Sequence, residues 1–310
     1  MTDAAAPLLK GIIPPMITPL AGRDQLDHAA LERVIDHIIG GGVHGLFMLG
    51  STGEAPSLTT KVQQEVVERS AKHVAGRVPL LVGVTDTSYT RSMELAQFSA
   101  DHGVDAVVLA PPYYTPFHQD DLTRYFVEFA DECPLPVVLY NIPSHCKVAI
   151  SLDATRELMD VPNIIGFKDS SGDMMYYGNL LKLTAGREDF PVFMGPEQLL
   201  AESVLMGGNG GVCGGANLVP SLYVELYDAA INADVRQVHR LQHRILRIAE
   251  KLYGVGDPPS GYLKGVKCAM SHVGLCTDQM ADPLHRLTED KRQIIKKNLE
   301  ELELPIGVAS

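Results

Sequence analysis

The chain has 310 residues, of which 45% are hydrophobic, and a formal net charge of −12 at pH 7. An acidic chain without clustered Lys and Arg is a poor match for nucleic acid or an anionic membrane surface, because both need concentrated positive charge. The length suits an α/β barrel with an extension.

The cysteines and the apolar runs predict a reduced, cytoplasmic protein. The five cysteines are odd in number, widely spaced and without a C-x-x-C pair, which argues against a disulfide framework and a zinc site. No run reaches the roughly 18 apolar residues that a membrane-spanning helix requires. Residues 1–9 do not resemble a secretion signal.

Short apolar runs alternate with amphipathic segments at a pitch of about 25 to 30 residues, which predicts repeated βα units and a parallel sheet. The eight predicted strands cover residues 11–17, 45–49, 79–84, 106–110, 137–140, 164–168, 191–194 and 210–213.

Helical periodicity fills the intervals, as in residues 31–39 and 60–74, where apolar side chains recur on one stripe. Eight strand–helix pairs ending near residue 220 predict a (β/α)₈ TIM barrel over residues 1–220, with its site at the carboxyl ends of the strands. Residues 221–310 predict an additional C-terminal helical region that packs on the barrel, with its clearest break at residues 254–259.

Lys168 ends the predicted strand 164–168 and places an amine at the carboxyl end of a buried strand. A free lysine has a pKa of about 10.4 and is charged at neutral pH, whereas burial favours the neutral amine that can form an imine. Alternation places Gly166 beneath Lys168 on the same face, where it leaves room for a long side chain. A surface lysine at the point where the strand emerges is the alternative.

Two other predicted strands end in groups that suit imine chemistry. The turn Gly50-Ser51-Thr52-Gly53-Glu54 can present N–H groups and hydroxyls to the carboxylate of a 2-oxo acid, although a capped strand-to-helix turn uses the same residue types. Tyr140 shares the strand face of Val138, and a phenol beside an imine nitrogen can relay protons.

Together these segments resemble the dihydrodipicolinate synthase and N-acetylneuraminate lyase family of class I, pyruvate-dependent aldolases. The family's Gly-Ser/Thr-Thr-Gly-Glu turn corresponds to residues 50–54, its Tyr-Asn-x-Pro segment to Tyr140-Asn141-Ile142-Pro143, and its Gly-x-Lys strand to Gly166-Phe167-Lys168. The 28-residue interval from Tyr140 to Lys168 also resembles the family's. The likeness runs from about residue 11 to at least residue 220.

The resemblance implies a Schiff-base mechanism that needs no metal or organic cofactor. Lys168 would attack the ketone of pyruvate or a longer 2-oxo acid and form a protonated imine, next to which carbon–carbon bonds break or form. Tyr140, linked through Thr52 and Tyr114, would move protons, with Tyr114 reaching into a neighbouring subunit's site in a homotetramer built as a dimer of dimers. The implied substrate contacts are Ser51, Thr52, Ser170, Gly195, Glu197, His145 and the backbone of Val212.

Departures from subfamily patterns guide the choice of substrate. Dihydrodipicolinate synthases usually have Arg where His145 stands, and imidazole is a poor replacement for a permanently charged fork, although Lys147 could compensate. Sialic-acid lyases usually have an Asp-Glu pair where this chain has Pro196-Glu197, and a Ser where it has Gly214. The segment from Lys168 to Asp173 more closely resembles aldolases for 4-hydroxy-2-oxoglutarate and 2-keto-3-deoxy sugar acids.

We therefore expect a lyase that cleaves or forms a carbon–carbon bond next to pyruvate in such a hydroxylated 2-oxo acid. Dihydrodipicolinate synthase, N-acetylneuraminate lyase and a 2-keto-3-deoxy sugar acid dehydratase are alternatives that use the same imine. Outside this chemistry, the glycines of residues 207–215 could cradle a phosphate, or the barrel could serve as a 2-oxo acid sensor or binding module. Retention of Lys168, Tyr140 and Thr52 argues against a passive binder.

Overall fold

The computed structural model describes residues 9–304 of the chain, and a closed ring of parallel strands organises it. In chain order the strands are β1 (Gly11–Ile12), β2 (Leu20–Gly22), β3 (Gln25–Leu26), β4 (Leu46–Met48), β5 (Leu80–Gly83), β6 (Ala106–Leu109), β7 (Val137–Asn141), β8 (Ile164–Asp169), β9 (Val192–Met194) and β10 (Gly210–Gly211).

Eight of these strands pair in parallel in the order β1-β10-β9-β8-β7-β6-β5-β4. The chain beyond β1 closes the ring, since Pro15 bridges to Phe47, and the Phe47 carbonyl accepts a hydrogen bond from the Met16 N–H at 2.8 Å. The prediction of a (β/α)₈ barrel is confirmed, and every predicted strand overlaps an observed one, with β7 and β8 each extending one residue further than predicted. The antiparallel hairpin β2–β3 was not predicted, because its strands are too short to show an alternating pattern.

Helices follow the barrel strands and continue beyond the last one. They are α1 (His28–Gly40), α2 (Thr60–Val74), α3 (Tyr89–Asp101), α4 (Gln119–Glu132), α5 (Pro143–Cys146), α6 (Leu152–Leu158), α7 (Met174–Leu183), α8 (Leu200–Leu205), α9 (Pro220–Ile231), α10 (Val235–Ile248), α11 (Gly261–His272) and α12 (Glu289–Leu302). The predicted bounds of the second helix match, and α1 contains the predicted segment 31–39.

Local sequence explains where the first helices begin and which face they bury. The Asp27 side chain caps α1 by accepting from the Ala30 N–H at 3.0 Å, and the Thr59 hydroxyl caps α2 in the same way. Leu31, Val34 and Ile35 of α1 are fully buried, because their spacing of three and four residues forms one stripe that faces the strands.

The strands separate two apolar layers. Alternate side chains point inward to fill the barrel, among them Phe47, Val138 and Phe193, while Leu139 and Phe167 point outward to the helices. The interior is therefore a packed core, and the open space lies above it at the carboxyl ends of the strands.

The helices after the barrel pack on its upper rim. A π-helical turn (Ala249–Tyr253) follows α10, and both this turn and the start of α11 reach the cavity at the strand ends. Within residues 9–304, no helix is both long and apolar enough to cross a membrane.

Candidate active site

A cavity of about 580 Å³ opens at the carboxyl ends of the strands and gathers most of the predicted site residues. The predicted residues that line it are Ser51, Thr52, Tyr140, His145, Lys168, Ser170, Gly195, Glu197 and Val212. Tyr114 is the exception, since it is 87% exposed and lies outside this lining. The predicted residues in the lining lie at or just beyond the carboxyl ends of five strands and contribute to one site, as expected for a barrel of this type.

Lys168 lies near the end of β8, side by side with Tyr140 of β7, and is only 4% exposed. Its Nζ atom is 4.0 Å from the centroid of the Tyr140 ring and 5.0 Å from that of Phe47. Within residues 9–304, no carboxylate forms an ion pair with this amine. Lys168 is therefore a buried amine between aromatic faces, open to the cavity and without a counter-ion.

Gly166 lies two residues before Lys168, and the structure gives it a second role. A Cβ atom at this position would lie 2.9 Å from the Pro191 carbonyl oxygen of the neighbouring strand. Glycine therefore allows β8 to approach β9 closely at the base of the lysine side chain.

The ends of β7 and β8 are fixed by a buried carboxylate. Asp169 is fully buried, and its oxygens accept hydrogen bonds from the Asn141 amide at 2.8 Å and the Ser171 hydroxyl at 2.8 Å. Burial raises the pKa of Asp169, and these hydrogen bonds oppose the rise. Next to it, a Cβ atom on Gly195 would overlap the Ser170 hydroxyl, so glycine allows that hydroxyl to reach the cavity wall.

The turn that follows β4 presents Ser51 and Thr52 to the cavity in a strained but well-supported conformation. Leu49 and Glu54 have φ angles of 56° and 58°, which place both in the left-handed region that non-glycine residues rarely adopt. The Gly53 N–H donates to the Gly50 carbonyl at 3.0 Å, and the Glu54 N–H donates to the Ser51 carbonyl at 3.1 Å. Such strain persists at functional sites only where surrounding contacts enforce it.

Glu54 anchors this turn to the C-terminal helical region through a buried ion pair. The Lys267 Nζ donates to Glu54 Oε1 at 2.5 Å and to the Gln279 carbonyl at 2.7 Å. Glu54 Oε2 accepts from the Ala281 N–H at 2.7 Å. The side chains of Lys267 and Glu54 are 0% and 1% exposed. A buried pair of residues more than 200 positions apart in the sequence therefore holds the turn against the C-terminal helical region.

The Thr52 hydroxyl contacts a residue that the sequence did not suggest. Its Oγ1 lies 3.3 Å from the hydroxyl oxygen of Tyr262, at the start of α11. The resemblance implied a link from Thr52 to Tyr140 and Tyr114. Among the residues described in the structure, the hydrogen-bond partner of the Thr52 side chain is Tyr262, and the link to Tyr140 and to a neighbouring subunit's Tyr114 stays a prediction.

Glu197 was expected to contact substrate, but its carboxylate is bound by other residues of the chain. Oε1 accepts from the hydroxyls of Tyr253 at 2.5 Å and Tyr223 at 2.7 Å, and Oε2 accepts from the Gly215 N–H at 2.7 Å. Burial raises the pKa of Glu197, whereas the three donors oppose that rise. A direct contact between Glu197 and substrate stays a prediction, while the structure shows this carboxylate fixing two tyrosines.

Two glycines after the last barrel strand make room for these phenols. A Cβ atom on Gly214 would overlap the Tyr262 hydroxyl, and one on Gly215 would overlap that of Tyr223. Gly214, which stands where sialic-acid lyases usually carry serine, is therefore needed for Tyr262 to reach Thr52.

His145 forms one wall of the cavity with little capacity to carry charge. Partial burial, together with Lys147 and Lys168, lowers the pKa of His145 below its ordinary value of 6.5. The Lys147 ammonium donates to the Ser144 carbonyl at 2.8 Å and lines a neighbouring space of about 610 Å³ rather than the cavity that contains Lys168. His145 is therefore less able to carry a charge than a free histidine, whereas an arginine at this position would be permanently charged.

Comparisons with known proteins agree with this geometry. A family model described as the dihydrodipicolinate synthetase family matches residues 8–302. A 4-hydroxy-tetrahydrodipicolinate synthase of Phenylobacterium zucineum is 30% identical over 286 residues, which are 92% of this chain and 95% of that protein.

Solved structures show the same architecture over the whole length. A dihydrodipicolinate synthase from Bacteroides thetaiotaomicron has a TM-score of 0.93 and 45% identity, covering 96% of this chain and 100% of that one. YagE from E. coli K12, a prophage protein of the dihydrodipicolinic acid synthase family solved in complex with pyruvate, has a TM-score of 0.90 and 30% identity, with coverage of 96% and 100%.

Proposed function

We propose a specific substrate and set of catalytic residues for this chain, which belongs to the dihydrodipicolinate synthetase family. The family recognised in the sequence is thereby confirmed, and the chain is a carbon–carbon lyase of the class I aldolase type. We infer that Lys168 forms the Schiff base and that the substrate is a hydroxylated 2-oxo acid which releases or accepts pyruvate.

The observation that carries the proposal is the burial of the Lys168 amine beside Tyr140, at the base of a cavity and without a paired carboxylate. The amine adds to the ketone carbon of the substrate, and Tyr140 gives a proton to the departing hydroxyl, which leaves as water. The resulting iminium accepts the electron pair of the adjacent carbon–carbon bond and becomes an enamine. The phenolate of Tyr140 takes the proton of the substrate hydroxyl, which becomes the aldehyde carbonyl.

The turn after β4 suits the carboxylate of the 2-oxo acid. Ser51 and Thr52 line the cavity with hydroxyls, and the turn is held by the Glu54–Lys267 pair behind it. A preorganised set of neutral donors binds an anion without a local cation. This arrangement leaves the Lys168 amine free to react.

The charges of the cavity favour an uncharged aldehyde portion. The basic side chains that line it are Lys168 and His145, and burial keeps the pKa of His145 below 6.5. A second carboxylate, as in 4-hydroxy-2-oxoglutarate, would therefore lack a permanent positive partner. The hydroxyls and amide of Ser170, Ser260 and Gln198 suit sugar hydroxyls, which favours a 2-keto-3-deoxy sugar acid.

Dihydrodipicolinate synthesis is the second candidate, because relatives at 30% and 45% identity carry that name. The residue that speaks against it is His145. We also propose the homotetramer implied by the resemblance, supported by the exposed aromatic ring of Tyr114. The cytoplasmic location and the division into a barrel over residues 1–220 and a C-terminal region over residues 221–310 stay predictions.

Borohydride reduction in the presence of pyruvate tests the chemistry. Peptide mass mapping should find a pyruvyl adduct on Lys168 and none on the Lys168→Met variant. The Lys291→Met variant, at a partly exposed position outside the cavity lining, serves as the matched control and should still form the adduct. An adduct at another lysine, or none under conditions that label a known class I aldolase, would refute the assignment.

A substrate panel separates the two candidates. We expect turnover of 2-keto-3-deoxygluconate to exceed that of 4-hydroxy-2-oxoglutarate, N-acetylneuraminate and the pair of pyruvate with aspartate semialdehyde. Turnover of the semialdehyde pair alone would show that the chain is a dihydrodipicolinate synthase.

A further inference from the structure

Tyr262, at the start of α11 in the C-terminal helical region, is a hydrogen-bond partner of Thr52 within the same chain. Its hydroxyl lies 3.3 Å from Thr52 Oγ1, in the wall of the cavity that also contains Lys168 and Tyr140. Tyr114, the implied partner, is 87% exposed and is absent from that wall in the described chain. The chain therefore supplies a phenol at this point without help from a second subunit.

Several independent contacts fix where the Tyr262 hydroxyl lies. Its ring packs edge-on against that of Tyr253, with centroids 4.9 Å apart. The Tyr253 hydroxyl is in turn held by Glu197 at 2.5 Å, and the missing Cβ of Gly214 leaves space for the Tyr262 oxygen. A phenol positioned by a buried carboxylate, a second aromatic ring and a glycine is a built feature of the site rather than a surface side chain that rests there.

We propose that Tyr262 is a positioning residue that orients the Thr52 hydroxyl for proton transfer at Tyr140, an inference that rests on the proposed function. A threonine hydroxyl has a single hydrogen to donate and can accept two others. When Tyr262 donates to Thr52 Oγ1, the hydrogen of Thr52 is left free for a second partner in the cavity, which Tyr140 also lines.

The chemistry of the phenol supports this direction of donation. Burial raises the pKa of Tyr262, and the neighbouring Glu197 carboxylate raises it further, so the phenol keeps its hydrogen. A phenol that keeps its hydrogen is able to donate it to Thr52 Oγ1. Thr52 can accept that hydrogen bond while it donates its own.

The exchange of pyruvate methyl protons with D₂O, followed by NMR, isolates this step without an aldehyde partner. Once the imine has formed, Tyr140 as phenolate takes a proton from the methyl carbon to give the enamine, and a deuteron returns from exchanged solvent. We expect Tyr262→Phe to lower the maximal exchange rate about tenfold, the factor of one neutral hydrogen bond, with the pyruvate KM changed less than twofold. Tyr227→Phe removes a buried phenol that packs against His44, outside the cavity, and should exchange at the wild-type rate.

A double variant at Tyr262 and Thr52 distinguishes a positioning role of Tyr262 from a general effect of its replacement on folding. In a Thr52→Val background, Tyr262→Phe should cause no further loss of exchange, because the group that it orients is gone. The idea is refuted if Tyr262→Phe exchanges like wild type, or if its effect is equally large in the Thr52→Val background. Borohydride trapping keeps the two proposals apart, since a wild-type chain without an adduct on Lys168 refutes the proposed function itself.

Discussion

Replacing Lys267 by methionine tests whether the buried ion pair holds the turn that carries Ser51 and Thr52. Methionine keeps most of the length and the apolar stem of lysine but removes its charge. Glu54 would remain fully buried with the Ala281 N–H as its remaining donor, and the Gln279 carbonyl would lose its partner. The perturbation therefore leaves an uncompensated charge inside the protein without creating a large cavity.

The structure sets the size of the expected effect. Both side chains of the pair are at most 1% exposed, so solvent does not screen the lone carboxylate. Removing one partner of a buried pair costs about 3–5 kcal/mol, which we expect as the fall in the free energy of unfolding. A lowering of the melting temperature by about 5–15 °C corresponds to that cost in a chain of this size.

Urea denaturation followed by circular dichroism measures the change, and Lys291→Met is the matched control. Lys291 pairs with Asp257, whose side chain is 90% exposed, and such surface pairs contribute about 0–1 kcal/mol. The double variant Glu54→Gln with Lys267→Met should recover part of the loss, because it removes the unpaired charge. The reasoning fails if Lys267→Met unfolds like Lys291→Met, or if the double variant is no more stable than Lys267→Met alone.

Three further predictions follow from the cavity and from one partly buried histidine. His145→Arg supplies a permanent positive charge and should therefore favour aspartate semialdehyde over a 2-keto-3-deoxy sugar acid. We expect the ratio of the two kcat/KM values to rise about tenfold. An unchanged ratio would contradict the role given to His145 in specificity. Gly214→Ala should displace the Tyr262 hydroxyl, lowering pyruvate proton exchange at a cost of about 1–3 kcal/mol in unfolding free energy; wild-type exchange would contradict the role of the glycine. Burial lowers the pKa of His37 below 6.5, so the unfolded chain binds a proton at this side chain more readily than the folded chain does. The free energy of unfolding should therefore fall as the pH drops below about 6.5 and His37 becomes protonated in the unfolded chain. Urea titrations at several pH values should show a shallower acid-side decline in His37→Gln, and an identical slope in both proteins would refute this.

Local sequence patterns were sufficient to predict the barrel, because the spacing of apolar residues within each strand and helix shows which element it forms. The apolar run before Lys168 and the stripe of Leu31, Val34 and Ile35 need only neighbouring residues to be recognised. Parallel strands then bring their carboxyl ends together whatever the loops contain, which is why Lys168 and Tyr140 could be placed side by side from sequence.

The residues that the sequence did not identify owe their position to distant parts of the chain. Tyr262 meets Thr52 across 210 residues, and Lys267 meets Glu54 across 213, so no local period could pair them. The glycines 214 and 215 were the available signal, because two adjacent positions without a side chain beside a predicted site indicate that other groups fill the space. Which groups fill it depends on how the C-terminal helices pack, and amphipathic periodicity leaves that choice open.

The closing hydrogen bonds between the chain after β1 and Phe47 also restrict how copies of this protein can associate. Within residues 9–304, the completed ring offers no unpaired backbone edge along which another chain could extend this eight-stranded sheet. Contacts around the ring are therefore left to side chains on loops and helices, where a few substitutions can create or abolish an interface while the ring stays intact.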